Sequence, residues 1–280
     1  MIRQLMILTI FISSCGIASA QDMSTVGSTE QAMWGGHRSE SNMQRNRYRH
    51  PVGTLEFFGL GQGMSVLEIW PGGGWYTEIL APVLRYKGQF IIATWDPEVE
   101  GQPNYRYELP KAMVATFAAY PEVYDQVETH FYSPPESASL GDPESVDMVL
   151  TFRNTHGWIS SGQAQDVYNE FARVLVPGGV LGVVQHRAPD GSDPAKMAKM
   201  GYVSEETVIS IAEKAGLVLE ARSEINANPL DTKDYEKGVW TLPPGFTLGD
   251  TDREKYAAIG ESDRMTLRFR KPVEENALEQ

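Results

Sequence analysis

The sequence predicts an α/β protein built on a doubly wound, seven-stranded sheet, mostly parallel with an antiparallel last strand. Three observations carry this. The stretch Val66-Leu67-Glu68-Ile69-Trp70-Pro71-Gly72-Gly73-Gly74-Trp75-Tyr76-Thr77 reads as a buried strand, a glycine-packed turn and the start of a helix. Strands and helices then alternate along the chain, which implies parallel strands joined by right-handed crossovers. The last two strand segments have no clear helix between them, so they are expected to pair as an antiparallel hairpin.

The elements follow in order. Residues 21–38 are polar and glycine-containing and read as disordered. Ser39 to Tyr48 is a helical patch rich in arginine, ending at His50-Pro51, and a short helix from Thr54 to Phe58 is stopped by Gly59. The first strand leads through the glycine turn into a helix from Tyr76 to Leu84. Gln89 to Trp95 is the second strand, ended by Asp96-Pro97. Pro110 to Tyr120 is a helix with Met113, Val114, Phe117 and Ala118 on one face. Val127 to Tyr132 and Val146 to Phe152 are the third and fourth strands. Gln163 to Val174 is a helix that turns Val167, Phe171, Val174 and Leu175 inward. Pro177-Gly178-Gly179 introduces a fifth strand, Val180 to His186. Ser204 caps a helix running to Ala215, and Gly216 stops it. Val218 to Ala221 begins the sixth strand, a long insertion follows, and Arg264 to Phe269 is the last.

The N-terminus is set aside from the fold. Arg3, the apolar run Leu5 to Ile12 and the small residues Ala18-Ser19-Ala20 have the layout of a signal peptide, residues 1–20, too short to span a bilayer. Ile12-Ser13-Ser14-Cys15 also resembles a bacterial lipobox, which would leave Cys15 lipidated. Cleavage after Ala20 is the cleaner of the two signals, and both imply a periplasmic or secreted protein. Residues 21–63 then form an N-terminal extension and 64–280 the main domain. Loss of residues 1–20 removes Arg3 and the single cysteine, leaving 23 basic and 37 acidic side chains, a formal charge of −14. Such a chain has no disulfide framework and no thiolate metal site. Its charge argues against nucleic acid or an anionic membrane as partner and favours a small or cationic substrate, a small molecule being the expected partner.

Glu68-Ile69-Trp70-Pro71-Gly72-Gly73-Gly74 resembles the first motif of class I S-adenosylmethionine-dependent methyltransferases. Asp147-Met148-Val149-Leu150-Thr151 and Leu175-Val176-Pro177-Gly178-Gly179-Val180-Leu181 resemble later blocks of the same family, in the same order. In detail the chain is similar to a bacterial group of exported methyltransferases with a tryptophan- and glycine-rich first motif. The resemblance covers about residues 55–270 and implies a Rossmann-like fold, S-adenosylmethionine as cofactor and methyl transfer to a small-molecule acceptor. It places Glu68, Pro71, Gly72, Gly73 and Gly74 against the cofactor. The glycines remove side chains where a ligand lies on backbone and are suited to positive φ. Glu68 either accepts a hydrogen bond at the strand end, holds the cofactor's ammonium through water, or caps the N–H groups of its own turn. The family's ribose-binding acid falls at Thr94, which departs from the pattern, so the contact passes to Asp96. Trp70 replaces the first glycine of the motif, and its ring must line the pocket or shift the cofactor.

Loops at the carboxyl ends of the strands face the ligand crevice of such a sheet. The loop Arg153-Asn154-Thr155-His156-Gly157-Trp158 after the fourth strand is therefore directed at the acceptor. His156 has the intrinsic pKa of a general base and Asn154 the donors and acceptor to orient a substrate; the plainer alternative for His156 is a bond to the loop backbone. His186-Arg187 ends the fifth strand on the same side, whereas His130 reads as structural. Arg45, Arg47 and Arg49 form either a lid over the acceptor or a solvated helix face. Trp75, Trp158 and Trp240 suggest an apolar pocket. No spacing of His, Asp and Glu indicates a metal site. Two rival readings stand beside methyl transfer. A nicotinamide-dependent oxidoreductase requires a third glycine where Thr77 stands. An exported binding protein that kept the fold without the reaction is suggested by Trp70 and Thr94.

Overall fold

The computed structural model describes residues 23–273; the signal-peptide and lipobox segments lie outside them. The N-terminal extension is more ordered than its composition suggests. Helix α1 (Thr25–Ala32) is capped by Ser24, whose hydroxyl accepts from the Gly27 N–H, and it buries Thr29 and Ala32. It packs on α4 and α5. This helix was hidden because its contact face is made of small and polar residues rather than a periodic apolar stripe. The arginine-rich patch forms two short helices, α2 (Glu40–Gln44) and α3 (Asn46–Arg49). His50, in the left-handed region at φ 39°, turns the chain into α4 (Pro51–Phe58), with proline at its first position.

The main domain runs β1 (Ser65–Ile69), α5 (Thr77–Leu84), β2 (Gln89–Thr94), α6 (Tyr105–Ala119), α7 (Pro121–Tyr124), β3 (Val127–Phe131) and β4 (Val146–Phe152). It continues with α8 (Thr155–Ser161), α9 (Ala164–Val174), β5 (Leu175–His186), α10 (Pro194–Lys199), α11 (Glu205–Lys214), β6 (Val218–Ser223), α12 (Arg253–Ile259) and β7 (Arg264–Arg270). The strand order is β3-β2-β1-β4-β5-β7-β6. Strands β1 to β5 pair parallel with one another, with Leu67 opposite Ile91 on one side and Val149 on the other. Strand β7 lies antiparallel between β5 and β6, so the expected hairpin forms, although α12 lies within its connection.

Each sheet face carries its own apolar layer. Val167, Phe171, Val208 and Ala212 cover one face from α9 and α11, and Phe58, Ile79 and Leu80 cover the other from α4 and α5. Two local readings are corrected. Val114 is exposed, because α6 begins at Tyr105 and buries mainly Pro110 and Met113. The segment after β4 is not an open loop: it winds into α8 from Thr155 onward, so His156 rides on a helix. Strand order reverses between β1 and β4, which opens a crevice at their carboxyl ends. Because β7 is antiparallel, its first residue, Arg264, opposes His186 at that same edge.

Candidate active site

The glycine turn ends β1 at this edge. Gly72 and Gly74 adopt positive φ (62° and 76°), and so does Trp70 at 44°, while Gly73 between the glycines does not. The expectation of a left-handed backbone therefore holds at Gly72 and Gly74 but not at Gly73. A Cβ placed on Gly72 or Gly73 would meet nothing within 4 Å. Open space thus lies directly over the turn, as a ligand resting on backbone requires. Helix α6 bounds one side, leaving a narrow cavity of about 60 Å³ between Gly73, Gly74, Met113, Phe117 and Tyr124.

Glu68 is fully buried under the turn, and its carboxylate accepts from Thr77 Oγ1 at 2.6 Å rather than from the turn's own N–H groups. Burial pushes its pKa up to about 7, against the opposing effects of the Thr77 hydrogen bond and the Arg153 charge. The Trp70 indole does not lie over the glycines. It donates to the Tyr132 carbonyl at 2.8 Å and packs against Trp95 and Trp158, with ring centroids 5.4 and 5.3 Å away. Arg106 covers it, 5.0 Å from the ring centroid. Thr94 is buried at the end of β2, and Asp96, two residues on, stays partly exposed. Asp96 Oδ1 accepts from the Glu98 N–H at 2.9 Å, a local turn that fixes the carboxylate at the sheet edge.

Across the crevice, Asn154 donates from Nδ2 to the carbonyls of Ile69 and Trp70, at 2.9 and 3.3 Å. It ties the end of β1 to the end of β4. Its Oδ1 makes no hydrogen bond to the described residues. The His156 Nδ1 lies 3.4 Å from Gln185 Nε2, which also donates to the Gly201 carbonyl. Its ring faces His186 at 6.1 Å and the exposed Trp240 at 5.8 Å, centroid to centroid. Burial lowers the pKa of His156 to about 4, the Gln185 bond opposing and the Arg153 charge adding to the shift. His186 is also held well below its ordinary value, first by burial and then by Arg153 and His156, and its Nδ1 pairs with Ser262 Oγ at 2.5 Å. Arg187 points elsewhere, into ion pairs with Asp263, Glu205 and Glu224. Trp158 is fully buried in the core, while His130 bonds the Leu140 carbonyl at 3.3 Å.

The extension covers this edge of the crevice. Trp75 Nε1 donates to the Asn42 carbonyl, and Tyr76 stacks on Phe152 at 3.6 Å while its hydroxyl donates to the Arg49 carbonyl. Arg45 and Arg49 both pair with Glu261, at 2.6 and 3.0 Å, whereas Arg47 stacks on Tyr48. Sequence alone singled out the arginines of the extension but not Glu261, which stands in the insertion without any motif around it. Among the described residues no group of His, Cys, Asp and Glu could hold a metal ion, and no helix is long and apolar enough to cross a membrane.

Neither a protein-family model nor a curated protein sequence matches this chain. Solved structures do. A SAM-dependent methyltransferase from Aquifex aeolicus superposes with TM-score 0.53 at 17% identity, over 81% of this chain and 93% of that one. The [4+2]-cyclase SpnF gives TM-score 0.53 at 18% identity, over 89% and 93%. A proposed sarcosine dimethylglycine methyltransferase from Galdieria sulphuraria gives TM-score 0.53 at 15% identity, over 88% and 98%. The fold is that of the class I methyltransferases. In this methyltransferase fold the antiparallel β7 enters between β5 and β6, whereas the dinucleotide-binding order simply continues outward with its sixth strand. The nicotinamide reading therefore loses its structural basis along with its third glycine.

Proposed function

We propose that the protein transfers the methyl group of S-adenosylmethionine to a small-molecule acceptor in the crevice between β1 and β4. The open space over Gly72 and Gly73, at the switch point of a methyltransferase fold, is the observation that supports this reading most. The cofactor, when bound, supplies a methyl group on a positively charged sulfur, so the chain's task is mainly alignment, worth up to ~7–11 kcal/mol. Gly72, Gly73 and Gly74, with Pro71 entering the turn, hold the methionine portion on backbone. Glu68 supports the turn through Thr77, and Asp96 offers its free carboxylate oxygen to the ribose.

Asn154 fixes the glycine turn against the acceptor side and leaves Oδ1 for the acceptor. Because Nδ1 accepts from Gln185 Nε2, the neutral His156 ring carries its proton on Nε2, and the acceptor's proton goes to Nδ1, displacing that long 3.4 Å contact. The buried ring is neutral at physiological pH, the state a base needs. Cleavage after Ala20 places this activity in the periplasm, as in the exported group the sequence resembles. The test is calorimetric titration of the mature protein with S-adenosylmethionine and S-adenosylhomocysteine, followed by a labelled-methyl screen of phenol, amine and thiol acceptors. Saturable binding with turnover supports the reading. Binding without turnover on any acceptor favours a protein that kept the fold alone, and no binding of either compound overturns the cofactor assignment.

A further inference from the structure

Four guanidinium groups converge beside the histidines. Glu261 is the carboxylate they share. It contacts Arg45, Arg49 and Arg264 at 2.6, 3.0 and 3.1 Å, and the charge of Arg153 acts on it as well. The pairing leaves much unsatisfied. Arg49 is 1% exposed, yet neither Nη1 nor Nη2 has a hydrogen-bond partner, and Nε of the equally buried Arg264 has none. Arg153, in the left-handed region at φ 69° where β4 ends, makes no ion pair and no side-chain hydrogen bond to the described residues. Its backbone N–H donates to the Val184 carbonyl at 2.7 Å, one residue past the Phe152–Val184 pair, which sets it beside Gln185 and His186 at the carboxyl ends of β4 and β5. It alone of the three innermost arginines is partly exposed. Uncompensated buried charge and unpaired buried donors are costly to a fold, and this cluster sits inside a protein of net charge −13.

We infer that Arg153, at the same sheet edge as the Arg49–Glu261–Arg264 cluster, is a receptor for an oxyanion, and that the methyl acceptor carries a carboxylate or phosphate group which docks there. The assignment rests on the methyl-transfer reading for the word acceptor, but not for the anion site itself. The guanidinium fork suits either oxyanion through paired, charge-assisted hydrogen bonds. Such an acceptor would present its anionic end to Arg153 and its nucleophilic atom toward His156 and the glycine turn. The protein's long-range field repels anions, so the site's selectivity must come from close contact rather than steering.

The experiment follows thermal unfolding of the mature protein titrated with inorganic phosphate and with benzoate, against chloride at equal ionic strength. Saturable stabilisation by one or both is expected, and the stronger arm identifies the oxyanion. Arg153→Gln should weaken that binding about 10–100-fold, as loss of a charge-assisted contact does. It should also raise the melting temperature of the ligand-free protein, because it removes a charge that no ion pair or side-chain hydrogen bond among the described residues meets. Absence of specific stabilisation in the wild type, unchanged anion affinity in Arg153→Gln, or a lowered ligand-free melting temperature overturns the inference. S-adenosylhomocysteine affinity, measured on the same two proteins, separates the readings. If it falls with the anion site, the arginines hold the cofactor's own carboxylate and the inference fails. If the wild type binds oxyanion but no S-adenosylhomocysteine, the methyl-transfer reading fails and the anion site stands.

Discussion

Trp70 occupies a backbone conformation that bulky residues rarely adopt, at φ 44°, and what holds it there is the ring, locked by Tyr132, Trp95 and Trp158. The strain is local to the position where the related motif has glycine, so the aromatic cluster substitutes packing for backbone freedom. Gly73, two residues past Pro71, is different. It has ordinary φ and open space above it, so Gly73→Val should leave the fold intact and remove only the space a cofactor needs. The expected outcome is a near-native melting temperature with no measurable S-adenosylhomocysteine binding; a folded variant with unchanged calorimetric affinity would refute the cradle. His156 makes a kinetic prediction. With its pKa lowered to about 4, the ring stays neutral through the neutral range, so its acid limb in a kcat profile should fall near that value and not near 6.5. His156→Ala should lower turnover by ~10²–10⁴, toward the smaller factor because a weak base gains less. S-adenosylhomocysteine affinity should survive. Loss of cofactor binding instead would assign His156 to the adenosine side.

At the scale of elements, the extension is tied to the main domain through two carboxylates, Glu78, which accepts from Arg38 and Asn42 at 2.9 and 2.8 Å, and Glu261. Arg45 and Arg49 reach from the α2–α3 segment to Glu261, which also meets Arg264 at the start of β7. Glu261→Gln leaves these cations without their counter-charge in a buried setting, and the expected cost is about 3–5 kcal/mol in urea unfolding. A cost below about 1 kcal/mol would mean that water replaces the pair, as for surface ion pairs. The same elements mark how far the sequence could be read. The strands and α9 were legible because apolar residues recur with the period of the element: Val167, Phe171 and Val174 all fall on its buried face. Helix α1 and the burial of Arg45 and Arg49, residues the sequence had singled out, were not, since both depend on partners far away in sequence, α5 for the helix and Glu261 for the arginines. Helix α8 was missed because Thr155 and Gly157 read as loop residues until Trp158 is seen to anchor them in the core. Glycine turn, Asn154 and His156 were placed at the crevice edge by topology alone. The positive cluster around Arg153 required the fold.

For the whole molecule, the groups buried at this edge set how stability responds to pH. His156 and His186 have pKa values below 6.5 in the folded chain. Between those lowered values and 6.5 the unfolded chain therefore binds more protons at these two positions, and stability rises with pH. Glu68 acts in the opposite sense: its folded pKa of about 7 stands above the ordinary carboxylate value of 4.5, so from 4.5 to 7 the folded chain holds the extra proton and stability falls as pH rises. Two histidines against one glutamate leave a net uptake of roughly one proton on unfolding across pH 4.5–6.5, equivalent to about 1.4 kcal/mol per pH unit. Stability should consequently climb by roughly 2–3 kcal/mol from pH 4.5 to 6.5 and pass through a maximum between about 6.5 and 7. Urea unfolding at constant ionic strength measures this directly. Glu68→Gln removes the opposing group, so its slope in the same window should approach twice that of the wild type. A flat wild-type curve would show that the two histidines are not held neutral in the folded chain, whereas a wild-type slope already near twice the expected one and unchanged in Glu68→Gln would show that Glu68 is ionised there.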